Sequence, residues 1–271
     1  MAGVVIPARL VRMEGTSVDT RGMDGVRENR AANVESGLPP LAKDRSLKGR
    51  AAIVGYGPSL NATWERLRGF DTIFTVSKAH DFLIERGITP THHLDLDPRA
   101  HKTGFLNKPT PTVRYHLATH IHPSYIEKLK AAGITPELFH VAIDEHERLD
   151  PRYPSMGKTF KRAGRVRYDA GVQAAELAYQ RGHREQHWFG IDYGAVAGHT
   201  HAGFHGGVTS ESCHVEVDGR LFESTQLFFH GLLLAEEFLC DRGAVRCTVH
   251  GDGLLGYFLK NRGRTKVSVV R

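Results

Sequence analysis

The sequence predicts an α/β fold: a mostly parallel sheet flanked by helices, forming a single domain behind a flexible N-terminal arm. Two observations carry this expectation. From Ala51 onward, short apolar runs of strand length alternate with segments of helix length, the pattern of parallel strands joined by crossover helices. In addition, 40% of the 271 residues are apolar, enough to fill the core of one large domain and to exclude disorder throughout.

Residues 1–47 are rich in Gly, Arg, Asp, Glu and Asn, and after residues 4–6 they show neither helical nor strand periodicity. They are read as the arm, extended or flexible, and residues 48–271 as the folded domain. Residues 51–54 read as a buried strand, followed by a Gly-rich turn and a short helix at 61–68. Residues 71–76 make a second strand, with an amphipathic stretch at 79–86 closed by Gly87. Residues 92–97 make a third strand that ends in carboxylates. Further strands are expected at 113–118, 138–143, 187–192 and 247–251, and helices at 123–132, 170–181 and 221–240. Seven strands and no internal repeat result.

Thirty-six Lys and Arg against thirty Asp and Glu leave a net charge of +6, which permits a polyanionic partner without demanding one. Lys260, Arg262, Arg264, Lys266 and Arg271 concentrate that charge in an acid-free tail, either a solvated edge strand or a contact for nucleic acid. Three cysteines with no C-x-x-C pair indicate neither a disulfide framework nor a thiolate zinc knuckle, so a reducing, cytoplasmic setting is expected. No apolar stretch approaches the ~20 residues needed to cross a bilayer, and residues 1–12 lack the order of a signal peptide, so no membrane partner is expected. Seventeen histidines are the compositional oddity.

Four segments carry chemistry. Gly55-Tyr56-Gly57-Pro58-Ser59-Leu60 joins a strand to a helix; its glycines allow close backbone approach, and its free amides, with the helix dipole, suit an anion. It is not the dinucleotide G-x-G-x-x-G, because Leu60 replaces the third glycine, nor a Walker A loop. In His92-His93-Leu94-Asp95-Leu96-Asp97-Pro98, alternation puts Asp95 and Asp97 on one face at the carboxyl end of a strand, where they could share Mg²⁺; alternatively, Asp97 only caps the turn. His92 and His93 point to opposite faces.

Gly190-Ile191-Asp192-Tyr193-Gly194 ends another strand and precedes a Gly-rich loop holding His199, His201 and His205, of which His201 is the candidate general acid or base. Zinc is disfavoured there because the acid and histidine that follow such a pair in metallo-β-lactamase sites are missing. Lastly, Asp169 is an N-cap before Gly171, Ala174, Ala175 and Ala178, small residues that let the helix lie close on the sheet. Lys158, Lys161, Arg162, Arg165 and Arg167 precede it, as a solvated loop or a cover for phosphates.

In this order the segments resemble the family shared by 6-hydroxymethylpterin pyrophosphokinases and the motility-associated-factor glycosyltransferases, over residues 51–256. Gly55-Tyr56-Gly57-Pro58-Ser59-Leu60 is similar to its G-x-G-P-S-L. Val76-Ser77-Lys78-Ala79, with Leu83, Gly87-Ile88 and Pro90, resembles its V-N-x-A, L, G-I and P. Asp97-Pro98, Gly171-Val172 and Gly190-Ile191-Asp192 match further pieces. The resemblance implies a sialyltransferase-like, Rossmann-like nucleotide-binding transferase domain over residues 48–271. A compact chain of this kind is closer in size to the pterin enzymes and to phage-borne relatives.

Its implied donor site is Gly55, Gly57, Pro58, Ser59, Leu60, Ser77 and Gly171, with Ser77 where the related sialyltransferases have a donor-contacting asparagine. Two enzyme readings follow. A glycosyltransferase would use a CMP- or UDP-sugar, with Asp97 and Asp192 orienting hydroxyls and His201 as base. A pyrophosphokinase would use ATP, with Asp95 and Asp97 holding Mg²⁺. The first is favoured because the histidine-rich loop supplies a base. A non-catalytic nucleotide- or nucleic-acid-binding module is the third reading.

Overall fold

The computed structural model describes residues 23–142, 148–156, 160–162, 165–167, 169–196, 198–204, 212–261 and 265–269. In chain order its elements are α1 (Met23–Glu35), β1 (Arg50–Val54), α2 (Leu60–Thr63), β2 (Ile73–Val76), α3 (Ala79–Ile84), β3 (His92–Asp95), β4 (Arg114–Ala118), α4 (Pro123–Ala131) and β5 (Glu137–Phe139). There follow β6 (Phe160–Arg162), β7 (Arg165–Arg167), α5 (Ala170–Gln180), β8 (Glu185–Phe189), β9 (Ser212–Val217), β10 (Arg220–Thr225), α6 (Gln226–Asp241), β11 (Arg246–His250), α7 (Leu254–Lys260) and β12 (Thr265–Val269).

The seven strands expected from the sequence form one sheet, in the order β11-β8-β1-β2-β3-β4-β5, with every neighbouring pair parallel. The chain runs outward from β1 to β5, then returns to lay β8 on the other side of β1. Order therefore reverses between β1 and β8, and at such a switch point the two following connections diverge and leave a crevice at the carboxyl edge.

β1 shows why the strands read as unbroken apolar runs. Ala51 and Ile53 join the core beneath α5 and α6, while Ala52 and Val54 pack with Leu60, Leu67, Phe82 and Leu83 on the opposite face. Both faces are covered, so every position is apolar. On α5, Ala174, Ala175 and Ala178 are fully buried, letting the helix lie close on the sheet as expected.

The histidine excess goes largely into this core. His80, His92, His93, His116, His120, His140 and His183 are all buried. His92 Nδ1 lies 2.9 Å from His116 Nε2, whose other nitrogen is 3.0 Å from Glu137 Oε2; on the opposite face His93 Nε2 lies 2.8 Å from Tyr125 OH. Burial, the largest cause in each case, holds the pKa of His92, His93 and His116 below the usual imidazole value and so favours the neutral rings.

Two expectations need correction. Within residues 1–47, residues 23–35 form α1, which escapes an apolar pattern because its buried face is polar: Asn29 donates to Pro98 O, Arg30 to Val141 O, and Asn33 to Thr119 O and Ile121 O. Residues 1–22 lie outside the described residues. Residues 221–225 are not the start of a helix but most of β10, which pairs antiparallel with β9 to put Cys213, Val215 and Val217 in the core. In the basic tail, residues 265–269 form an edge strand, one of the two readings of that segment: β12 pairs with β9 at the edge of this second, three-stranded sheet. Among the described residues, no helix is long and apolar enough to cross a membrane.

Candidate functional site

A cleft of about 150 Å³ opens at the switch point, where the segments leaving β1, β2 and β8 meet the start of α5. Gly55, Tyr56 and Gly57 line it from β1, Val76 and Ser77 from β2, and Gly190 to Tyr193 from β8. Asp169, Gly171, Thr200, His201 and Phe228 complete the wall.

Asp192 is the keystone. Its Oδ2 accepts the Ser59 amide at 2.8 Å, and its main-chain oxygen accepts Leu255 N at 3.1 Å, joining the Gly-rich loop to the start of α7. The carboxylate fits only because its neighbours are glycines: a Cβ on Gly57 would fall 2.5 Å from Oδ2, and one on Gly253 2.2 Å from Oδ1. Burial pushes its pKa up to about 6, against the hydrogen bonding from Ser59 that favours the anion.

Asp169 caps α5 by accepting Val172 N at 3.0 Å and also accepts the Tyr193 hydroxyl at 2.8 Å; burial raises its pKa. Ser77 and Tyr193 hold the left-handed backbone at φ 52° and 54°, a conformation that costs a non-glycine residue about 1 kcal/mol or more and clusters at functional sites. The second sheet braces this loop: Ser224 Oγ donates to Tyr193 O at 2.6 Å and Ala195 N to Glu223 O at 2.7 Å.

His201 stands exposed at the rim, its Nδ1 2.9 Å from Thr200 Oγ1 and its ring between Tyr56 and Phe228, each 6.2 Å away. Although its loop is Gly-rich, two hydrogen bonds pin it to the first loop, Ala202 N to Tyr56 O and Gly203 N to Asn61 Oδ1. His199 instead forms a bridge with Val196, and His205 lies outside the described residues.

Gly55, Gly57, Ser77, Gly171, Asp192 and His201 are thus brought together, while Pro58, Ser59, Leu60, Asp95 and Asp97 do not line the cleft. The expected anion seat on the Gly-rich loop needs correction. Gly55 N donates to Phe189 O, Gly57 N to Gly190 O, Ser59 N to Asp192 and Leu60 N to Gly57 O, so these amides are consumed within the fold. The helix that follows has a single α turn, too short for a useful dipole.

Asp95 and Asp97 do not form a metal pair either. Asp95 turns back so that Oδ1 accepts the amides of Leu96 and Asp97, and burial pushes its pKa up to about 6. Asp97 grips Arg99 through both oxygens, at 2.8 and 2.6 Å, and also accepts Arg99 N, which is the turn-capping role. With their oxygens committed to amides and a guanidinium, these carboxylates do not fit Mg²⁺. Asp169 was legible as a cap but not as a cleft residue, and Tyr56, Thr200, Tyr193 and Phe228 carried no motif of their own.

Comparison with solved structures aligns 84% of this chain with 36% of a MAf glycosyltransferase from Magnetospirillum magneticum AMB-1, at a TM-score of 0.60 and 16% identity. The chain therefore spans little more than a third of that protein's length, and the likeness is one of fold. A mammalian sialyltransferase solved with Gal-beta-1-3GalNAc-ortho-nitrophenol aligns over 90% of this chain and 84% of its own at 16% identity, but its TM-score of 0.45 is too low to carry an argument. Comparison with curated proteins gives no match. The model of the family described as 6-hydroxymethylpterin diphosphokinase MptE-like matches residues 27–197, well over half of the chain, and the protein belongs to that family.

Proposed function

We propose that the protein is a nucleotide-dependent group transferase, and that the group is a glycosyl unit carried by a CMP- or UDP-sugar. The observation that carries this reading is the composition of the switch-point cleft: hydroxyls of Ser77 and Thr200, the imidazole of His201, the carboxylates of Asp169 and Asp192, and, among the described residues, no lysine or arginine. Such a lining suits the hydroxyls of a ribose or sugar better than a bare triphosphate. Tyr56 and Phe228 offer aromatic faces for a base.

In this account Asp192 and Asp169 accept hydrogen bonds from sugar hydroxyls, positioning donor and acceptor. His201, oriented through Nδ1 by Thr200, takes the proton of the acceptor hydroxyl as its oxygen bonds to the anomeric carbon and the bond from that carbon to the phosphate oxygen breaks, releasing CMP or UDP. Cys213, Cys240 and Cys247 are in no disulfide, which agrees with a reducing, cytoplasmic setting.

The family's description favours a second reading, a diphosphokinase that passes pyrophosphate from ATP to a hydroxymethyl group. Because Asp95 and Asp97 do not fit the metal, Asp169 and Asp192 would have to hold it. Thermal shift with CDP, UDP and ATP, each with and without Mg²⁺, separates the two. Stabilisation by CDP or UDP without Mg²⁺ supports the glycosyltransferase, whereas stabilisation by ATP with Mg²⁺ alone overturns it in favour of the diphosphokinase.

A further inference from the structure

A nucleotide needs cations, and the described lining of the cleft has none. The residue after the cleft residue Ser77, where the chain leaves β2, is a lysine. Lys78 Nζ lies 4.4 Å from the centre of the Phe105 ring, and Lys102 Nζ lies 4.2 Å from the same centre. The two nitrogens are therefore no farther apart than the sum of those distances, about 8.6 Å. A phosphoryl group accepting a charge-assisted hydrogen bond from each side bridges about 8 Å.

Charge in this corner is unbalanced. Lys102 is 3.8 Å from Asp97 Oδ2, but that carboxylate is already held by Arg99, and Asp95 lies buried beneath. Three cations thus face two carboxylates, and Lys78 is the one that, among the described residues, has a ring but no carboxylate for a partner. Two ammonium groups held against the same ring repel each other, and an anion that reaches both relieves that repulsion. The left-handed turn at Ser77 sets the cleft wall and Lys78 side by side in the chain.

We infer that Lys78 and Lys102, held over Phe105, form the subsite for the phosphoryl group of the nucleotide whose nucleoside occupies the switch-point cleft. This rests on the nucleotide-transferase reading and moves the phosphate from the Gly-rich loop, whose amides are taken, to the β2–β3 edge.

The test is calorimetric titration of cytidine, CMP, uridine, UDP and inorganic pyrophosphate into the wild type, Lys78→Gln and Lys102→Gln, with melting temperatures as the check on folding. The inference predicts that Lys78→Gln weakens CMP or UDP about tenfold while leaving the parent nucleoside unchanged, and that pyrophosphate competes with the nucleotide. An unchanged ratio of nucleotide to nucleoside affinity in Lys78→Gln overturns it. Pyrophosphate bound together with CMP or UDP also overturns it, assigning the anion to the acceptor. Failure of the wild type to bind any nucleoside or nucleotide is a different result, which removes the nucleotide-transferase reading. Loss of pyrophosphate binding in Lys78→Gln would still support an anion subsite in that case.

Discussion

Replacing His120 by glutamine isolates the effect of one buried imidazole on stability. His120 is fully buried, with Nε2 2.8 Å from Leu96 O; burial and the nearby Arg30 charge push its pKa down to about 3. An unfolded histidine titrates near 6.5, so below that pH the unfolded chain takes a proton that the folded one refuses. The folded pKa is the lower one, so stability is complete above about pH 6.5 and falls by about 1.4 kcal/mol per pH unit down to about pH 3. Between pH 7 and pH 5 this group alone removes about 2 kcal/mol.

In His120→Gln the side-chain amide keeps the donor to Leu96 O but cannot titrate. Asp95 and Asp192, whose raised values act in the opposite direction, are present in both proteins and cancel in the difference. Urea unfolding of both proteins at pH 7 and pH 5 should show the wild type losing about 2 kcal/mol more than the variant. Equal losses would refute the argument that this imidazole is held neutral.

Asp192→Asn should stabilise the protein and abolish transfer. The folded carboxyl titrates near 6 against 3.8 unfolded, so its ionised form costs up to about 3 kcal/mol above pH 6, a cost that shrinks as pH falls towards 4; calorimetry at pH 8 and pH 5 reads the difference. Gly231→Ala puts a Cβ 2.3 Å from the Tyr193 ring, so it should cost about 1–3 kcal/mol and weaken ligand binding through the lost Tyr193–Asp169 contact, seen as a lower melting temperature and higher Kd. Ser77→Asn should raise the melting temperature slightly, because asparagine tolerates φ 52° better than serine, and should tighten nucleotide binding; a fall in both contradicts the role given to this turn.

The parallel sheet was legible because both its faces are covered, so each strand is a compact apolar run such as Ala51 to Val54. The hairpin of β9 and β10 was missed although its signals were present: Cys213, Val215 and Val217 alternate with polar residues, and Asp218-Gly219, both at positive φ, is a tight hairpin turn. Leu221, Phe222 and the apolar residues after Gln226 blurred into one helical segment, which hid the boundary at Thr225. α1 was opaque for the opposite reason. Val26, Asn29, Arg30 and Asn33 have helical spacing, but three of the four are polar and bind carbonyls instead of apolar side chains.

At the site, a strand end located Asp192, the Gly- and His-rich loop after it located His201, and the family resemblance located Ser77. Sequence could not show that Asp192 would take the Ser59 amide, or that Asp97 would close on Arg99, because both depend on side-chain direction after the strand ends.

A structure of the protein crystallised with CMP tests the central claim most directly. The account predicts the nucleoside in the switch-point cleft against Tyr56 or Phe228, the phosphate beside Lys78, and Asp192 still holding the Ser59 amide. A nucleotide bound away from this cleft, or a phosphate that has displaced Asp192 from Ser59, would contradict it.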